Sequence, residues 1–178
     1  MQARVVVVVL LSVSLLAGCV KPPGTYDIEA ATVLDADRDV AWQAVVDFFG
    51  ASGLPIHVAD RGTGLVVTDW MDATELSLSE LPDADKNLAF CDCGTGNITV
   101  YWVRGKSTVL VSDAPGGEVE LRVKCVYQAL VDYGSVDHIG DVECTSTGRL
   151  EELVESYVKA RCLGMTPEAV PVLGSWEG

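Results

Sequence analysis

The stretch EVELRVKCVYQALV, residues 118–131, decides the fold. Val119, Leu121, Val123, Cys125, Tyr127, Ala129 and Val131 fall on one side of an extended chain. Glu118, Glu120, Arg122, Lys124 and Gln128 fall mostly on the other. Successive side chains of a strand point to opposite faces, so this period of two predicts a strand with one face in a core and one in water. Such a strand belongs to an antiparallel sheet covered on a single side.

Working outward, Pro115-Gly116-Gly117 turns the chain just before this strand. Residues 97–104 and 107–112 read as two further strands, with Gly105-Lys106 as a two-residue hairpin turn between them. Farther back, residues 55–59 and 65–70 read as a hairpin about the turn 60–64, and residues 28–34 as a first strand. Between those, Asp37 is a suitable helix N-cap, since its carboxylate accepts hydrogen bonds from the free amides of a first turn. Ala41, Val45 and Phe48, with Trp42, Val46 and Phe49 alongside, follow at helical spacing until Gly50 or Gly53. A second helix begins after Ser146 or Thr147 and carries Leu150, Leu153, Val154, Tyr157 and Val158 opposite Glu152, Glu155 and Lys159. Residues 72–86 are acidic, contain proline and read as a surface excursion with a short helical turn. Residues 141–144 are too short to assign. The expected fold is α+β: one antiparallel sheet of five or six strands with two helices packed on one face.

The amino terminus carries a different signal. Arg4 precedes a thirteen-residue run, residues 5–17, that is apolar except for Ser12 and Ser14. About 20 apolar residues are needed to cross a bilayer, so the run is read as a secretory signal. An ordinary secretory peptide cut after Ala17-Gly18 would leave the next cysteine an accident. Leu16-Ala17-Gly18-Cys19 is similar to the bacterial lipobox, which implies diacylglycerol on the Cys19 thiol, removal of residues 1–18 and acylation, such as palmitoylation, of the new amino terminus. The expected divisions are residues 1–18 as signal peptide, 19–25 as a lipidated tether, 26–163 as a single domain and 164–178 as an extended or flexible tail. Val20 stands where Asp would resemble the signal for inner-membrane retention in Gram-negative lipoproteins. The expected location is therefore the outer membrane, facing the periplasm.

The 160 residues after position 18 carry 11 cationic and 26 acidic side chains, a net charge of −15. That surface repels nucleic acid and anionic headgroups, so the membrane is an expected partner through the lipid anchor alone. Five cysteines remain beyond Cys19: Cys91, Cys93, Cys125, Cys144 and Cys162. Export makes disulfides the expected state, and an odd number leaves at least one thiol over. Connectivity does not follow from the sequence. Cys93 with Cys144 is the first expectation, because both flank the place where the sheet meets the second helix, and Cys125 with Cys162 is the second.

Other motifs reduce to structure. Cys91-Asp92-Cys93 lacks the further ligands a metal site needs, and His57 and His138 stand far from it. Gly62-x-Gly64 and Ser146-Thr147-Gly148 lack the features of phosphate loops and read as turn and cap. Ser146 sits in no nucleophile elbow, and a Cys-x-x-Cys redox pair is absent. No enzyme activity, metal or cofactor is expected. Trp42, Trp70 and Trp102 read as core residues, with Trp70-Met71 at a strand end where an apolar groove could open.

Asp39 to Trp42 on the first helix and Asp60-x-x-x-Gly64-Leu65-Val66-x-Thr68 in the hairpin resemble the helix-grip-like domains of BamC-type lipoproteins, components of the outer-membrane β-barrel assembly machine. Asp92-Cys93-Gly94 and Cys144-Thr145-Ser146-Thr147-Gly148-x-Leu150-Glu151 look like a broader group of small bacterial lipoproteins. The resemblance implies a non-catalytic scaffold or assembly factor acting on an envelope protein partner. The alternative is a module that holds a lipid, peptide or small apolar ligand between the second helix and the sheet.

Overall fold

In the computed structural model, which describes residues 20–77, 89–96, 99–132, 139–170 and 173, the alternating stretch forms a strand paired along its whole length with its predecessor. In chain order the elements are β1 (Val20–Lys21), β2 (Thr32–Leu34), α1 (Arg38–Ser52), β3 (Ile56–Asp60), β4 (Leu65–Thr68) and β5 (Met71–Asp72). A 3₁₀ turn (Thr74–Leu76) follows, then β6 (Cys91–Asp92), β7 (Thr95–Gly96), β8 (Thr99–Asp113), β9 (Val119–Asp132), β10 (Ile139–Ser146) and α2 (Arg149–Cys162). The main sheet runs β3-β4-β8-β9-β10-β6, with β5 also on β8 and β2 also on β9. All its strand pairs are antiparallel.

The α+β expectation of one antiparallel sheet and two helices matches this architecture, but the strand number does not. The sheet has eight strands among the described residues, not five or six. Two of the expected strands are one, β8, and three are added: β5 and β6, two residues each and too short to show a period of two, and β10, of which only residues 141–144 stood out.

The inner face is the core. Every inward residue of β9 is buried, from Val119 to Val131, and Val103, Val109 and Val111 of β8 lie beside them. Ala41, Ala44, Val45, Phe48 and Phe49 of α1 and Leu150, Val154 and Val158 of α2 close this face. Helix α1 starts where Asp37 Oδ1 accepts from the amides of Asp39 (2.8 Å) and Val40 (3.3 Å), and it stops at Gly53, whose φ of 76° ends a right-handed helix readily.

The hairpin turn expected at Gly105-Lys106 is absent, because β8 runs through it without a break. Gly105 lies opposite Tyr127 in the register. A Cβ at Gly105 would stand 2.6 Å from both Tyr127 Cε1 and Met71 Cε, so the glycine makes room for a buried ring rather than for a bend. Gly105→Ala is expected to lower stability by about 1–3 kcal/mol through overpacking. Urea unfolding would measure it, and an unchanged midpoint would contradict this packing.

Three boundaries also move. The first strand begins at Thr32 rather than Ile28, the short stretch before Cys144 extends to Ile139–Ser146, and part of the expected excursion lies against β8 as β5 and the 3₁₀ turn. In the tail, Val170 and Leu173 pack against the core and the Leu173 amide donates to Ser52 O at 2.8 Å. The signal peptide, Cys19, Leu78, Leu81, Gly134, His138, Gly174 and Trp176 lie outside the described residues. Among the described residues no helix is long and apolar enough to cross a membrane.

Candidate functional site

Alternation leaves β8 and β9 with a second face, and its side chains are not those of an ordinary wet surface. Trp102, Arg104 and Lys106 of β8 stand beside Lys124, Val126, Gln128 and Leu130 of β9. Arg104 lies between two rings, 4.5 Å from the centre of Trp70 and 5.1 Å from that of Trp102. Its Nε and Nη2 donate to Gln128 Oε1 at 3.2 and 2.9 Å. Lys106 Nζ is 5.9 Å from the Trp70 ring. Each such contact is worth about 0.5–1 kcal/mol at an exposed site. Together they hold these side chains in one arrangement.

Both tryptophans are therefore half-buried outer-face residues rather than core, whereas Trp42 on α1 is half-buried and packs against the core as expected, with the guanidinium of Arg61 6.0 Å from the centre of its ring. Val126 is 44% exposed and Val58 37%, so aliphatic surface continues beside the aromatic patch. Arg104, Lys106, Arg122 and Lys124 gather on this face of a chain whose net charge is −14. Trp, Tyr and Arg are the residues most enriched in the centres of protein interfaces.

A second group of residues organises the sheet's β6 edge. Asp92, 5% exposed, accepts from the Gly24 amide (Oδ2, 2.8 Å), the Tyr26 hydroxyl (Oδ2, 2.9 Å) and the Gly94 amide (Oδ1, 2.8 Å). Burial and the hydrogen bond to Asp92 push the Tyr26 phenol up to about 12. Strand β1 pairs with β7 just beyond, Val20 opposite Gly96 and Lys21 opposite Thr95. The residues expected to form a free tether are thus held against the domain. Composition hides this, because the hold comes from backbone pairing and one distant carboxylate, not from an apolar face.

The structure joins Cys93 to Cys144, S–S 2.04 Å, fastening the loop between β6 and β7 to β10. The second expected pairing does not form. Cys125 Sγ lies 3.2 Å from Ser107 Oγ beneath the first turn of α2, whereas Cys162 is the last residue of that helix. Eleven residues of helix separate Glu151, which touches Cys125, from Cys162, about 16 Å at 1.5 Å per residue. Cys91, Cys125 and Cys162 are free thiols. Burial, with Asp92 nearby, pushes the Cys91 thiol up to about 12, and burial with the Glu151 carboxylate raises Cys125 well above its usual range. Both are thiols rather than thiolates at neutral pH, which removes their nucleophilicity.

Glu151 is the buried residue that helical periodicity missed. Along its free edge, β9 pairs with β10 from Tyr127 onward and with β2 up to Leu121, and the gap between them leaves the Cys125 amide without a strand partner. Glu151 Oε1 accepts from that amide at 3.2 Å, and both carboxylate oxygens accept from Ser146 Oγ at 2.9 and 3.0 Å. Ser146 Oγ also accepts from the Gly148 amide, and Thr147 Oγ1 from that of Arg149. Neither Ser146 nor Thr147 is the expected helix cap: α2 starts one residue later, with Gly148 at a φ of 86° in the cap position and no side-chain cap bond, because the Ser146 hydroxyl is turned to Glu151.

Among the clefts of the described residues, two lie beside α2. One of 450 Å³ lies at the start of α2, lined by Tyr26, Glu29, Arg149, Glu151, Glu152 and Glu155 among others. Burial raises the Glu155 carboxyl above its usual range, although Thr32 Oγ1 donates to it at 2.9 Å. The other, 280 Å³, lies between the helices and the tail and is lined by Phe48, Leu153, Tyr157, Met165 and Val170 among others. The space between α2 and the sheet is filled by Leu150, Val154 and Val158, which have no exposed surface. Among the described residues no cluster of His, Cys, Asp and Glu is arranged to hold a metal, and His57 stands exposed on β3. Compared with protein-family models and with curated proteins, the sequence matches none.

Proposed function

We propose that this chain is a non-catalytic lipoprotein of the cell envelope, anchored through Cys19 to the periplasmic face of the outer membrane, and that it acts as a scaffold or assembly factor by protein contacts. The observation that carries the proposal is the outer face of β8 and β9. Its partner-binding character rests on Trp70, Arg104 and Trp102 stacked in one arrangement beside exposed Val126, on the side opposite both helices. Interface centres with preset aromatic and guanidinium anchors lose little side-chain freedom on binding. The resemblance of the first helix and hairpin to BamC-type domains favours the same class.

Crosslinking in intact cells tests this. The wild-type chain is expected to give one envelope-protein adduct, and Trp70→Ala with Trp102→Ala to lower its yield about tenfold or more, since anchors of this kind each contribute about 2 kcal/mol or more. Unchanged far-UV and near-UV dichroism would show that the variant is folded. Recovery of the chain alone, or equal yield from the variant, would refute the reading.

The apolar cleft beside Phe48 and Tyr157 favours the second reading, a small apolar ligand, because its lining is mostly hydrocarbon and lies near the lower end of ligand-pocket volumes of about 300 Å³. A ligand there would appear as an adduct in native mass measurements and vanish on denaturation.

A further inference from the structure

The residues after Cys19 read as a leash and are held as a clamp. If residues 20–31 were free, Cys19 could sit about 40 Å from the domain, at 3.3–3.6 Å per extended residue. They are not free. Strand β1 is bonded to β7, the Gly24 amide and the Tyr26 hydroxyl both donate to the buried Asp92 at the end of β6, and the next residue, Cys93, is fastened to β10 by Cys93–Cys144. Gly94, at a φ of 87°, completes the fit: a Cβ there would stand 2.6 Å from the Lys21 carbonyl oxygen, so only glycine lets the two backbones approach this closely.

We propose that this clamp fixes how the domain stands on the membrane, with the β6 edge at the lipid surface and the β3 edge held away from it. The proposal rests on the acylation of Cys19 put forward above. Cys19 adjoins Val20, and consecutive Cα atoms lie 3.8 Å apart, so the acyl chains leave the domain beside β7. Neighbouring strands are about 4.8 Å apart, and four steps separate β10 from β3. Across the sheet the exposed edge strand β3 lies about 19 Å from β10, and in the proposed stance this separation runs away from the lipid. The β8–β9 outer face rises between them, open to a partner from the periplasm rather than pressed on the bilayer. Clamping also removes the ordering cost that a flexible tether would add to each contact.

The test uses the mature acylated chain in phosphatidylcholine vesicles that carry a headgroup acceptor dye. A donor dye is placed at Asp141→Cys on β10 or at Val58→Cys on β3, each with Cys162→Ser. Energy transfer is expected to be about twofold or more stronger from position 141 than from position 58, given the spacing of the strands. Asp92→Ala, which removes all three hydrogen bonds, and the milder Tyr26→Phe, which removes one, are expected to shrink that difference in that order. Faster hydrogen exchange at the Gly24 amide should accompany the loss. Equal transfer from the two positions in the unsubstituted clamp would overturn the proposal. Intact mass of the cell-derived amino-terminal peptide separates the two readings: a Cys19 without acyl chains defeats the lipoprotein reading and this one with it, whereas acyl chains together with equal transfer defeat the clamp alone.

Discussion

Phe48→Ala is expected to cost about 3–5 kcal/mol, the largest loss from any single truncation in the seam between the helices. Phe48 is 1% exposed and meets Phe49 at 5.4 Å and Tyr157 at 5.5 Å between ring centres, both edge to face. The substitution removes the area buried by the ring and both of these contacts, and it leaves a void that α1 and α2 cannot close while each is capped and packed on the sheet. At a slope of about 2 kcal/mol per molar, the urea midpoint should fall by about 2 M. Val40→Ala, on the exposed side of the same helix at 47% exposure, should change stability by about 0.5 kcal/mol or less. Equal effects at the two positions would mean that the helices do not pack as described.

Removing the disulfide with Cys93→Ala and Cys144→Ala should have the next largest effect. The bridge spans 51 residues, and restricting a loop of that size in the unfolded chain is worth about 4 kcal/mol in the chain-entropy account. Replacement by alanine avoids any reductant, so the measurement reads the crosslink alone. The loss should fall unevenly, because β6 and β7 are two residues each and the bridge ties them to β10. Hydrogen exchange is expected to quicken first at Gly24 and Gly94, whose amides both end on Asp92, and only later in β8 and β9. A variant with the wild-type urea midpoint would show that the bridge contributes nothing to the folded domain.

How much of this was legible follows from where each constraint acts. The alternation of β9 was legible because every second residue answers to the same inner face. Asp37, Gly53 and the α2 stripe were legible because caps and helical spacing are local. Gly105 misled because a glycine before a lysine looks like a turn, while its cause is the ring of Tyr127, twenty-two positions away. A signal was present: Val103, Gly105, Ser107, Val109 and Val111 keep one parity straight through the supposed turn. Glu151 gave no such sign, since its burial is set by a strand amide left open between β2 and β10. Pairing of Cys93 with Cys144 was suggested by their places in the order of elements, but the separation of Cys125 from Cys162 depends on which end of α2 each meets. The stacking of Trp70, Arg104 and Trp102 needs β4, β5 and β8 assembled before it exists.

The outer face of β8 and β9 is the surface proposed to meet a partner. Site-specific photocrosslinking in intact cells tests this most directly, with the photoreactive residue placed in turn at Val126 on that face and at Glu152 on the exposed side of α2. A discrete envelope-protein adduct from position 126 and none from position 152 is the predicted result. An adduct from position 152 alone, or none from either, would contradict it.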